Sequence, residues 1–190
     1  MDIRQKWNQR FSTSRSPNDA ARVLTENTHL LPHGGRALDL ACGLGGNALL
    51  LAEWGLAVDA LDVSEVALEK LQGFAAASNV TVNTVCQDLE TTALPERQYD
   101  VIVCSRYLYR PLCKRLPDYL NPCGLLFYQT FTVDTAPGEG PRNPGYLLEN
   151  NELLSLLSAL LPVYYREEGA LAQHPDNRNT ARFIGRKNRG

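Results

Sequence analysis

The stretch Ala37-Leu38-Asp39-Leu40-Ala41-Cys42-Gly43-Leu44-Gly45-Gly46-Asn47 holds the densest chemical signal in the chain. An apolar strand runs into a glycine-rich turn, and the turn opens a helix. Backbone without Cβ atoms lets a ligand approach closely. Two ligand chemistries compete for such a turn. Gly43-Leu44-Gly45-Gly46-Asn47-Ala48 satisfies the GxGxx[G/A] pattern of dinucleotide sites. Asp39, however, precedes the first glycine by four residues. Its anion there would repel a pyrophosphate and attract an ammonium or a sulfonium. A purely structural turn is the third reading.

Two further carboxylates stand where a nucleoside could use them. Asp62 comes 23 residues after Asp39, at the end of the next strand, and an acidic side chain there can accept both ribose hydroxyls. A loop aspartate before a helix is the plainer alternative. Asp59, further inward, reads as structural. Asp88, in Gln87-Asp88-Leu89, closes the third strand. It can accept from an adenine amino group while the following backbone N–H meets a ring nitrogen. An ordinary strand-end turn explains Asp88 equally well.

These residues need a scaffold, and the chain alternates strand and helix to supply one. Strands are expected over 36–40, 56–61, 80–87, 99–104, 125–131, 163–167 and 181–185. The first helix spans Asp2–Phe11, with an Ile3, Trp7, Phe11 stripe. A second should start after Ser16-Pro17, which is N-cap and first-turn chemistry. Further helices cover 47–54, ended by Gly55, and 64–78, capped by Ser64. A helix over 110–120 should kink or break at Pro117. Asn121-Pro122-Cys123-Gly124 reads as a turn, and Asn151–Leu161 as a helix. Thr132–Tyr146, dense in proline and glycine, is a long irregular segment of the kind that forms lids. The alternation implies an α/β, Rossmann-like sheet, mostly parallel, with helices on both faces. Its ligand site lies at the carboxyl ends of the strands.

Composition narrows the function classes. A 190-residue chain with 44% hydrophobic and 21% charged residues reads as one domain, two helices over 1–33 preceding a core over 35–186. A net charge of −2 offers no global field for nucleic acid or anionic membrane. Five scattered cysteines without a CxxC pair suggest free thiols in a reducing, cytoplasmic setting. No histidine stands at zinc-ligand spacing to a cysteine, so no metal is expected. No run is long and apolar enough for a membrane span, and the first residues lack the apolar core of a secretory signal. Their arginines and serines match a transit peptide, but Asp2 and the helical stripe argue against one. The basic tail (Arg182, Arg186, Lys187, Arg189) reads as solvated surface.

The run DLACGLGGN, the Asp62 position, CQDLE, YDVIVC and the NPCG turn together resemble the class I SAM-dependent methyltransferases over residues 35–186. Gly46-Asn47 and the N-terminal KWNQRF look like the small tellurite-resistance-type and thiopurine-type members. The resemblance implies a seven-stranded sheet with the last strand antiparallel, and S-adenosylmethionine as cofactor, leaving S-adenosylhomocysteine as product. It places Asp39, Ala41 and Gly43 at the methionine end, Asp62 at the ribose, Asp88 and Leu89 at the adenine and Cys104 beside the sulfonium, with Gly45, Asn47 and Val63 also among the cofactor contacts. Two positions depart from the family pattern. Ala41 replaces a glycine, harmless if its backbone conformation is ordinary. Asn-Pro-Cys-Gly replaces Pro-Gly-Gly, and since cysteine takes positive φ only at a cost, a different turn type is expected.

Methyl transfer from a sulfonium needs alignment, dryness and a nucleophile about 3 Å from the methyl carbon. It requires no metal, and a base only if the nucleophile must lose a proton. The stretch Arg106-Tyr107-Leu108-Tyr109-Arg110 is the expected acceptor side. Tyr107 or Tyr109 would serve as a wall or proton acceptor and Arg106 would meet an anionic group, although tyrosines here can simply pack. Arg142 could meet an anion from the irregular segment, although a solvated loop is the favoured reading. Trp7 and Arg10 could close over the site, although simple packing of Ile3, Trp7 and Phe11 explains the stripe equally well. No Asp/Asn-Pro-Pro-Tyr/Phe motif follows the fourth strand, which argues against a nucleic-acid base as acceptor; a small molecule is expected. An NAD-type oxidoreductase and a non-catalytic SAM-binding partner of an RNA-modifying enzyme are the alternatives.

Overall fold

The computed structural model describes residues 2–134, 141, 143–174 and 177–189. Seven strands form one sheet: β1 Arg36–Leu40, β2 Ala57–Asp62, β3 Val82–Cys86, β4 Tyr99–Ser105, β5 Leu120–Phe131, β6 Leu161–Glu167 and β7 Thr180–Arg186. Their spatial order is β3-β2-β1-β4-β5-β7-β6. The first five run parallel, and β7 is antiparallel to both of its neighbours. This is the expected Rossmann-like α/β sheet with its last strand reversed. The order reverses beside β1, so a crevice opens between the ends of β1 and β4.

β1 and β4 are apolar along nearly their whole length because both faces are covered. One face buries Leu38, Leu40, Leu61, Ile102, Cys104, Leu126 and Tyr128, packed with Leu108, Leu112, Leu116, Leu153 and Leu157. These partners lie in and around α5 Arg110–Cys113 and α6 Glu152–Leu156. The other face buries Ala37, Val58, Ala60, Val101, Val103 and Phe127 against α2 Arg22–Thr25, α3 Gly46–Glu53 and α4 Glu65–Ala77. Ser64 caps α4, accepting from the Ala67 N–H at 3.2 Å. α5 stops at Cys113, and a separate 3-10 turn carries Pro117, which is the break proline demands.

Four local expectations need correction. No helix begins at Pro17: residues 17–21 are irregular and α2 has only four residues. Two amides that such a helix would bond to its own carbonyls are taken by distant side chains, Ala21 N–H by Asn47 Oδ1 (2.8 Å) and Val23 N–H by Gln129 Oε1 (3.0 Å). The Asn-Pro-Cys-Gly turn lies inside β5, where the register with β4 shifts and Cys123 adopts φ +64°. Cysteine therefore does take positive φ here, at an irregularity that leaves its side chain exposed. The helix after Asn151 ends at Leu156 rather than Leu161. Arg182, read as solvated tail, is 1% exposed and donates to Glu26 Oε2 (2.9 Å) and to Asn177. It stands on β7 opposite Gln129 of β5, and so faces α2 rather than water.

Candidate cofactor site at the carboxyl ends of the strands

The glycine turn alternates into the left-handed region three times, at Ala41 (φ +51°), Gly43 (+53°) and Gly45 (+83°). Ala41 is thus not in an ordinary conformation, and its Cβ carries strain of about 1–2 kcal/mol. The turn is held in that shape from inside: Gly45 N–H donates to Cys42 O, Cys42 N–H to Leu61 O, and Gly43 N–H to Asp62 Oδ2 at 2.8 Å. Asp62 uses its other oxygen for the Ser64 N–H, also 2.8 Å. Each oxygen retains a second lone pair. Burial raises the pKa of Asp62, and backbone amides, those of Ser64 and Gly43 before that of Val63, counter the rise.

Asp39 lies deeper, with no exposed surface. Oδ1 accepts from Asn47 Nδ2 (3.3 Å) and Oδ2 from the Ala48 N–H (3.1 Å). Desolvation pushes its pKa up from 3.8 to about 7, against the lowering effect of those two bonds, and the nearby Asp62 adds to the rise. Asn47 is a junction: besides Asp39, its amide donates to Ser105 Oγ (3.0 Å) and its oxygen holds Ala21 N–H. Both hydrogens of its amide are thus taken by protein. Ser105 and Gln129 are members of this network that sequence reasoning missed. The only signal for them is the alternation of β4 and β5, which puts the residues after Cys104 and Tyr128 on the same face as Asp39.

Cys104 faces the other way. It pairs in register with Leu40 and Tyr128 and packs on the α5 side of the sheet. Asp39 and Cys104 therefore flank the end of the crevice from opposite faces. Asp88 folds its own loop, accepting from Glu90 N–H (2.9 Å), and Leu89 is buried beneath it. Val63 follows Asp62, and its carbonyl is 3.6 Å from Cys86 Sγ. Beyond β4, Arg106 takes φ +56° while its N–H donates to Gln129 O (2.8 Å). Its guanidinium is exposed, and no hydrogen bond or ion pair joins it to the described residues. Tyr109 OH reaches Glu90 O at 3.5 Å, while Tyr107 OH is buried without a partner among the described residues. Arg110 is held by Glu152 (2.6 and 2.9 Å) and by the carbonyls of Gly145 and Leu147, so it anchors chain rather than ligand. Arg142 and residues 135–140 of the expected lid lie outside the described residues.

The first helix, α1 Ile3–Ser12, closes one side of the site. Phe11 lies against Gly43: a Cβ there would come within 3.2 Å of its ring. Trp7 stacks on Phe11 at 5.6 Å, with Arg10 over its ring. Asn8 accepts from Ser64 Oγ at 2.7 Å, and Lys70 holds the carbonyls of Phe11, Ser12 and Ser14. The backbone of residues 18–20 then crosses Gly46 so closely that a Cβ would sit 2.0 Å from Asn18 O. Gly46→Ala is accordingly expected to lift this segment off the turn. The stability loss should be about 1–3 kcal/mol, read by thermal unfolding together with faster proteolysis between residues 12 and 25. Equal stability and equal cleavage would show that the segment is not docked there.

No group of His, Cys, Asp or Glu among the described residues is placed to hold a metal. A cleft of about 680 Å³ lined by Arg36, Arg97, Asp100 and Asn121 sits at the opposite, amino end of the sheet. Asp100 there is spent on Arg36 N–H and the Asn121 amide, which makes it structural. The convergent polar groups are at the carboxyl end.

Residues 37–123 match the family model described as a methyltransferase domain. That span runs from β1 into β5 and contains the glycine turn, Asp62, Asp88 and Arg106. A ubiquinone biosynthesis O-methyltransferase of Coxiella burnetii is 28% identical over 102 residues, 51% of this chain and 44% of that protein. The chain thus spans less than half the length of the curated relative it matches. Among solved structures, TehB from Haemophilus influenzae superposes with a TM-score of 0.72 at 18% identity, covering 97% of this chain and 66% of TehB. An S-adenosylmethionine dependent methyltransferase from Mesorhizobium loti gives 0.69 at 22% identity, covering 88% and 99%. These structural likenesses establish the methyltransferase fold for the whole arrangement of strands. No helix among the described residues is long and apolar enough to cross a membrane.

Proposed function

We propose that the chain is a SAM-dependent methyltransferase acting on a small-molecule acceptor. One observation carries this reading: two buried carboxylates, Asp39 and Asp62, flank a glycine turn, and no cation among the described residues is bonded to either. The elevated pKa of Asp39 is the signature of a buried charge stabilised by dipoles alone. A ligand bearing an ammonium and a sulfonium supplies the missing charge. A pyrophosphate at the turn would meet the anion of Asp39, which disfavours the NAD reading, whereas Asp62 suits the ribose of either ligand.

In this site the carboxylate of Asp39 faces the methionine ammonium, directly or through a water, and Asn47 positions that carboxylate. The backbone of Ala41, Gly43 and Gly45 lets the methionine end approach. The free lone pairs of Asp62 accept the ribose hydroxyls, with Val63 following. Asp88 and the Leu89 N–H take the adenine, and Cys104 borders the sulfur. The cofactor when bound supplies a methyl group on a good leaving group, displaced in line. Arg106, held at a strained φ with a guanidinium unpaired among the described residues, offers charge to an anionic acceptor, and Tyr109 stands on the same side. The modest net charge and the O-methyltransferase relative support a small acceptor. Five free thiols support a cytoplasmic setting.

Calorimetry with S-adenosylhomocysteine, SAM and NAD in parallel tests the reading. The first two should bind and NAD should not. Binding of NAD alone would replace this function with the oxidoreductase.

A further inference from the structure

The hydroxyl of Tyr107 is buried and has no hydrogen-bond partner among the described residues. Such a group is costly to leave unsatisfied, and native proteins keep few of them. Its position is enforced rather than accidental. Tyr128, buried on β5, donates to the Tyr107 carbonyl at 2.8 Å, and its oxygen lies 3.3 Å from Cys113 Sγ. The neighbouring Tyr109 is tied to the carbonyl of Glu90. The loop after β4 is thus pressed against the loop after β3. The Tyr107 ring packs on the cluster that contains Leu40, Leu61, Leu89 and Cys104.

The surroundings place the hydroxyl more closely. Burial raises the phenol's pKa most, followed by the charges of Glu90, Cys104, Asp88 and Cys113. These influences agree with the packing of the ring on the cluster that holds Leu89 and Cys104, beside the loop after β3. A phenol so disfavoured as an anion keeps its proton and has it available to donate. This is the wall of the crevice that the proposed function gives to the adenine.

We propose that the Tyr107 hydroxyl donates a hydrogen bond to the nucleoside half of the cofactor, at an acceptor nitrogen of the adenine, and has no partner until the cofactor binds. The proposal rests on the chain binding SAM, and it moves Tyr107 from the acceptor side to the cofactor side. Tyr107→Phe removes the oxygen and keeps the ring. Its unliganded thermal midpoint should equal or exceed the wild type's, because an unsatisfied polar atom is lost. Affinity for S-adenosylhomocysteine, measured by calorimetry, should fall roughly five- to thirty-fold. Adenosine alone should lose the same factor.

Unchanged affinity for S-adenosylhomocysteine would overturn the proposal while leaving the SAM reading intact. A loss confined to S-adenosylhomocysteine, with adenosine unaffected, would also overturn it, since the hydroxyl would then serve the methionine end. A variant that is markedly destabilised or fails to fold would overturn it too, by showing that the oxygen has a partner in the free protein. If the wild type itself binds neither compound, the proposed function fails with it.

Discussion

Asp39→Asn should weaken SAM binding about ten- to a hundred-fold, the equivalent of a charge-assisted contact worth roughly 1.5–3 kcal/mol. The substitution keeps the shape of the side chain. Its amide oxygen can still accept the Ala48 N–H, while its NH₂ would face the Asn47 NH₂ and lose that bond. The pH dependence supplies the sharper test. Asp39 is raised from 3.8 to about 7 in the free protein, so the folded state holds its proton more tightly than the unfolded chain. Its contribution to stability is therefore greatest below the unfolded value of 3.8 and is lost as pH rises towards about 7. A cationic ligand pulls the pKa back down and releases the proton. Affinity for SAM should climb by up to about ten-fold per pH unit below roughly pH 7 and level off above it. The Asp39→Asn variant should show neither the climb nor the loss of stability. Wild-type affinity that is flat from about pH 5.5 to about pH 8 would dissociate Asp39 from the ligand. Intact SAM binding in Asp39→Asn, with NAD binding created or improved, would end the methyltransferase reading.

Asp62→Ala should cost about 1–3 kcal/mol of cofactor binding by leaving the ribose hydroxyls without their acceptor. The structure adds a second consequence. Gly43 N–H and Ser64 N–H both lose a 2.8 Å acceptor, so the glycine turn and the start of α4 should loosen together. Asp62→Asn separates the two effects. Its amide oxygen can keep one of the backbone amides but not both, so part of the turn is retained while the second acceptor is lost. Thermal unfolding and titration with S-adenosylhomocysteine on both variants read the two effects apart. A folded Asp62→Ala protein with wild-type affinity would remove Asp62 from the site.

The glycine turn, Asp39, Asp62 and Asp88 are legible in the sequence because their signals are local. A buried strand must be apolar, a turn of repeated positive φ must be mostly glycine, and a helix start prefers serine. The polar groups that tie these pieces together carry no such mark. Asn8 and Lys70 reach α4 and α1 across more than fifty residues, and Gln129 takes the amide of Val23 across more than a hundred. An isolated glutamine or asparagine looks the same in sequence whether it meets water or a distant amide. The missing helix after Pro17 has this cause: a good local cap is outcompeted by Asn47 and Gln129. Ala41 and Cys123 show the converse, side chains accepted at positive φ because surrounding contacts over-determine the turn.

Residue type and short-range spacing are enough to set the order of strands and helices, the parallel sheet, the crevice at its carboxyl ends and the anionic character of the glycine turn. Each of these rests on neighbours along the chain. Other features arise only when distant segments meet. Asn47 supports Asp39 through its side chain, Cys104 and Asp39 stand on opposite faces, Arg182 is buried, and the Tyr107 hydroxyl is sealed in without a partner among the described residues. Those outcomes depend on which face of a strand a residue occupies and on what arrives there from elsewhere in the chain. Burial turns such arrivals into large energies, since a charge or hydroxyl removed from water must find its partner inside the protein or in a ligand.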